Sequence, residues 1–150
     1  MAMPKSDPIS GKTAGAPGEV LSQISNRMVQ IHKQYYGKGP TKARSYVMGD
    51  LVVCLMRGGF TRAEETLIGS GRAGLVHEQR SEFQEALKRE FTSAISEITG
   101  REVVAFMSNS HDDPPLIVEM FLLEPGAGEE LREAAADGNG LRRDGDDPVA

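Results

Sequence analysis

The chain has one cysteine, no tryptophan and only eight aromatic residues in all, three Tyr and five Phe. A lone Cys54 excludes an internal disulfide. His32, His77 and His111 are widely separated, with no partners at metal-ligand spacing, so nothing in the sequence predicts a metal site. No apolar run approaches the roughly 20 residues that a membrane span requires, and the N-terminus lacks the apolar core of a secretory signal. An excess of positive charge is also missing, since the formal net charge is −5. With Tyr35, Tyr36 and Tyr46 as the sole stacking candidates, nucleic acid is a poor partner. These absences predict a cytoplasmic chain without cofactor or transmembrane segment. Cys54, inside an apolar run, is expected to be a small buried hydrophobe in a reducing compartment.

What is present is unevenly spread. Residues 1–18 carry three prolines, three glycines and no aromatic residue, and residues 125–150 carry seven acids against three bases. Neither end holds enough apolar surface to offset its chain entropy, which predicts two disordered tails, 1–18 and 125–150. Between them, residues 19–124 hold 12 bases and 14 acids and are sufficient for one domain. The acidity therefore resides in the C-terminal tail and leaves the body nearly neutral.

The body reads as a helix, two strands, a short helix, a long helix and two more strands. Leu21, Ile24, Met28, Ile31 and Tyr35 recur at helical spacing, which predicts a helix over about 18–36, capped by Gly37 and barred from continuing by Pro40. Strands 43–48 and 51–57 flank Gly49-Asp50, a pair suited to a two-residue hairpin turn. Leu-Val-Val-Cys-Leu-Met at 51–56 does not alternate, so both of its faces need cover, and a second subunit is a candidate for one of them. Thr61 and Glu64 have capping-box spacing. A long helix is expected over 74–99, with Val76, Phe83, Leu87, Phe91, Ala94, Ile95 and Ile98 on its apolar stripe. Its charged residues, Arg80 among them, are placed on a solvated face, and Glu85–Arg89 form a favourable i, i+4 pair. Strands 102–108 and 116–123 close the body, joined by a loop of turn formers over 109–115. The predicted class is α+β, a roughly four-stranded antiparallel sheet with two long helices on one face.

Candidate sites are few. Gly11-Lys12-Thr13 lacks the upstream glycine and strand of a phosphate-binding P-loop, and Gly37-Lys38-Gly39 follows a helix, unlike a dinucleotide fingerprint. From Lys33 to Arg44 the chain has four bases and no acid. Lys38, Gly39, Thr41, Lys42 and Arg44 are therefore the candidate anion- or partner-binding residues, with turn N–H groups forming a nest and the cations supplying charge. The alternative is that the two lysines are simply solvated. His111, beside Asp112 and Asp113, either sits exposed in a turn or serves as a base or ion ligand. Glu119, a lone acid between Val118 and Met120, faces solvent, pairs with a base such as Arg44 or Arg57, or joins His111 in catalysis. No catalytic constellation is evident.

Several blocks are together similar to one family. They are Ile-Ser-Asn at 24–26, Tyr-Tyr-Gly-Lys-Gly-Pro-Thr-Lys-Ala-Arg at 35–44 and Asp-Leu-Val-Val-Cys at 50–54. Gly-Gly-Phe-Thr-Arg-Ala-Glu at 58–64, Phe-Gln-Glu-Ala-Leu at 83–87 and Thr-Gly-Arg-Glu-Val-Val-Ala-Phe-Met-Ser at 99–108 follow in order. Over about 19–124 the chain resembles the MpsC-like family, named after the C component of a sodium-translocating, membrane-potential-generating system. The resemblance implies a non-enzymatic accessory or regulatory subunit and a membrane-protein partner, and it carries no catalytic residues across. A small-anion or nucleotide sensor built on the Lys38–Arg44 loop is the competing expectation. Self-association as a homodimer is expected from the apolar strands.

Overall fold

The computed structural model describes residues 17–125, and both predicted tails lie outside the described residues except at their inner margins. Helix α1 spans Pro17–Tyr36, β1 Lys42–Met48 and β2 Leu51–Arg57. Three helices follow, α2 Arg62–Gly69, α3 Ala73–Ala86 and α4 Lys88–Thr99, and then β3 Val103–Asp112 and β4 Pro115–Leu123. The four strands form one antiparallel sheet in the order β1-β2-β4-β3, two hairpins joined edge to edge through β2 and β4. The α+β class and the antiparallel sheet agree with the sequence pattern.

Local chemistry explains the boundaries. α1 ends where Gly37 takes a positive φ of 84° and donates its N–H to the Lys33 carbonyl. The Thr61–Glu64 capping box forms as its spacing requires, and Gly100 closes α4 in the left-handed region. The Gly49-Asp50 turn, with Gly49 at φ 61°, pairs Met48 with Leu51 and Lys42 with Arg57.

Four expectations need correction. The helix expected over 74–99 is two helices, broken at Leu87, whose ψ of 8° turns the chain. The break lets α3 aim Val76, Arg80 and Gln84 inward while α4 buries Phe91, Ala94 and Ile95. Glu85 and Arg89 fall on opposite sides of it and make no ion pair. The loop expected over 109–115 is mostly strand, since pairing runs on to Asp112↔Pro115 and leaves only Asp113-Pro114 as the turn. Arg80, assigned to a solvated face, is 2% exposed.

Alternation along the strands then sorts side chains between two faces. The inner face contributes Val47, Val52, Cys54, Met56, Ile117, Phe121 and Leu123 to a core closed by Ile24, Met28, Phe91 and Ile95 from the helices. Among the described residues, no helix packs on the outer face.

Candidate functional site

Because the ladders are in register apart from one bulge between Val103 and Ala105, the outer face can be read as rows running across all four strands. The first row is Lys42, Arg57, Leu116 and His111, and the second is Arg44, Leu55, Val118 and Asn109. The third is Tyr46, Val53, Met120 and Met107, and the fourth is Met48, Leu51, Leu122 and Ala105. The face thus grades from cationic at one end to wholly apolar at the other and carries no carboxylate. Tyr46 (42%), Met48 (50%), Met107 (49%) and Leu122 (40%) are large apolar groups left exposed on it. At the cationic end an open depression of about 510 Å³ is lined by Lys42, Ala43, Arg44, Tyr46, Leu55 and Arg57. Among the described residues, no carboxylate lies within ion-pair distance of Lys42, Arg44 or Arg57.

Beneath the sheet lies a buried polar network. Arg80 Nε and Nη2 donate to the two Glu64 carboxylate oxygens at 3.0 and 2.8 Å, and Nη2 also reaches the Gly59 carbonyl at 3.0 Å. The guanidinium lies over the Tyr36 ring at 4.2 Å and the Phe60 ring at 4.8 Å, a desolvated cation–π arrangement. Gln84 Nε2 donates to the Tyr36 hydroxyl at 2.9 Å. Burial raises the Tyr36 phenol well above its ordinary range, against the pull of Arg80. Burial also disfavours the Glu64 carboxylate, but the Arg80 and Thr61 hydrogen bonds outweigh it and hold its pKa below normal.

Deeper still, His32 Nε2 stands 3.1 Å from Glu119 Oε2, both side chains being essentially inaccessible. His32 Nδ1 donates to the Met28 carbonyl at 2.9 Å, so the nitrogen facing Glu119 is protonated only in the charged ring. Neither Glu119 oxygen meets hydrogen-bond geometry with any protein group. Cys54 lies opposite Glu119 across β2 and β4, and burial pushes its thiol up to about 11 despite the Ser45 hydroxyl.

The structure divides the residues singled out from sequence. Lys42 and Arg44 come together on the outer face, whereas Lys38 and Gly39 do not line that depression. Gly39 packs against Val29 and Lys33, and Thr41 Oγ1 donates to the Arg57 carbonyl. Glu119 neither faces solvent nor pairs with Arg44 or Arg57, because those arginines occupy the opposite face; its partner is His32. His111 is exposed, with Nδ1 donating to the Pro114 carbonyl, and the sheet separates it from Glu119. The neighbouring Asp112 instead stands 3.4 Å from His77 Nε2, whose Nδ1 meets Ser110 Oγ at 2.7 Å.

Arg57, Tyr46, Arg80 and His32 were missed as site residues, and each left a signal. A two-residue turn at Gly49-Asp50 dictates that Lys42 opposes Arg57. Arg80 falls four residues after Val76 and three before Phe83, on the apolar stripe itself. His32 follows Met28 by four on the stripe of α1.

Among the described residues no helix is long and apolar enough to cross a membrane, and no cluster of potential metal ligands occurs. No solved structure matches the chain. It is 30% identical over 90 residues to the uncharacterized protein YbcI of Bacillus subtilis (strain 168), a match covering 59% of this chain and 73% of that one. The family model described as Na+-translocating membrane potential-generating system (MpsC) matches residues 16–131. That span takes in every helix and strand of the described residues and both faces of the sheet, and the chain belongs to the MpsC family.

Proposed function

We propose that this chain is a non-enzymatic accessory or regulatory component of a Na+-translocating, membrane-potential-generating system. It acts on the cytoplasmic side by docking, and it works as a homodimer joined through the outer face of its sheet. The observation that carries this reading is the uncovered face itself. Leu51, Val53, Leu55, Val118, Met120 and Leu122 form a contiguous apolar surface across the two central strands, the kind of surface that marks an interaction site. Two such sheets pack about 10 Å apart with interdigitating side chains.

The charge gradient selects the arrangement of the two copies. A two-fold axis along the strands would gather the three cations of both copies at the same end of the interface. An axis across the strands overlaps the Tyr46 and Met48 rows and sends the cationic rows to opposite ends, where they stay solvated.

Velocity sedimentation of the parent and of Val53→Asp tests the interface, with a dimer expected for the first and a folded monomer for the second. A monomeric parent at micromolar concentration overturns the dimer. The accessory role is tested by measuring Na+-dependent membrane potential in cells lacking the chain, with the parent or Val53→Asp restored. An unchanged potential on deletion overturns it.

Anion sensing is the second reading, favoured by the cationic end of the face. Two of its residues, Lys42 and Arg44, come from the loop-and-strand segment 38–44, and the rest of the charge comes from β2.

A further inference from the structure

We infer that Lys42, Arg44 and Arg57, with the Tyr46 hydroxyl, form a binding site for a phosphate group. The inference deepens the anion-binding reading and rests on it. Lys42 stands directly opposite Arg57 on the same face of an antiparallel pair, and Arg44 is the next outward residue along β1. Like charges placed opposite each other across a sheet repel. Among the described residues no carboxylate on the face relieves them, although the body has more acids than bases. All three side chains are exposed and line one depression with Tyr46.

Neighbouring strands lie about 4.8 Å apart and alternate residues about 6.8 Å apart along a strand. Three long cationic side chains at those spacings can converge on one tetrahedral dianion. Arginine presents paired donors that match phosphate oxygens, and lysine adds a point charge. The apolar rows beside the site lower the local dielectric and strengthen the attraction. The phosphate can belong to a free ligand or to a lipid headgroup, and the chemistry of the contact is the same.

The test uses the full chain. Calorimetric titration with inorganic phosphate and with ADP is set beside flotation with vesicles of phosphatidylglycerol or of phosphatidylcholine alone. Saturable binding of phosphate or ADP assigns a free ligand, and binding confined to phosphatidylglycerol assigns a headgroup. In either case Arg44→Gln and Arg57→Gln should weaken binding at least tenfold, while Lys38→Ala leaves it within twofold. Without phosphate, Arg57→Gln should melt at the parent temperature or above it, since a repulsion is removed; a fall of several degrees makes Arg57 structural and overturns the site. Binding that weakens only in Lys38→Ala overturns the site and keeps the anion reading. Absence of binding to every probe overturns both.

Discussion

Arg80 and Glu64 are held together by two parallel hydrogen bonds, at 3.0 and 2.8 Å, across sixteen residues of chain. The carboxylate that pins α3 also caps α2, because Glu64 Oε1 accepts the Thr61 N–H at 2.8 Å. One buried ion pair therefore fixes the start of one helix and the middle of the next. Removing one member of such a pair leaves an uncompensated charge and costs about 3–5 kcal/mol. Arg80→Met should lower unfolding free energy by that order in urea melts. Arg80→Lys should fail to restore it, lacking the fork that reaches both oxygens. A loss below about 1 kcal/mol in either variant contradicts this account.

Glu64 also sets an acid limit. Its folded-state pKa lies below the ordinary 4.5, so its contribution to stability is complete above that value and is lost as pH falls through the lower, folded one. The melting temperature should hold from neutral pH to about 5 and drop below it. Glu64→Gln should start lower and show a flatter acid limb. Parallel acid limbs in the two proteins would place the acid sensitivity elsewhere.

The His32–Glu119 pair invites a double-mutant cycle. Each single change, His32→Leu or Glu119→Leu, strands the other buried group and should cost about 3–5 kcal/mol. The double variant should recover most of that loss, because both polar groups leave the core together. Strict additivity of the two losses would show that the groups do not interact.

Cys54 offers a probe of opening. With its thiol held up at about 11, roughly a thousandth of it is thiolate at pH 8. The side chain is also fully buried. Ellman's reagent should therefore label it only at the rate of unfolding, and in urea the labelling should follow the loss of structure. Rapid labelling of the folded protein would contradict the packing of β2.

Much of this architecture is legible in the sequence because periodicity and punctuation agree. Gly37, Gly49-Asp50, the Thr61–Glu64 box and Gly100 each end or start an element where they stand. The break at Leu87 is not legible, since neither glycine nor proline marks it; tertiary packing bends the chain so that two stripes of different phase can both face inward. Buried charge is the other gap. Arg80 and Glu119 look like surface residues by type, and only their phase relative to Val76, Ile117 and Phe121 places them inside. The candidate anion residues Lys42 and Arg44 were visible as a local excess of charge, while Arg57 joins them only through strand pairing.

The Gly49-Asp50 turn has a consequence for how this chain can change in length. Side chains alternate with a period of two, so the turn fixes a parity: even positions of β1 face out and odd ones face in. A single-residue insertion within β1 after Arg44 would break that parity, demanding that Lys42 and Arg44 enter the core or that a bulge absorb the extra residue. An insertion at the turn itself leaves every pair in place and costs little more than a longer loop. Viable length variants at this hairpin should therefore fall at Gly49-Asp50 and not inside the strands.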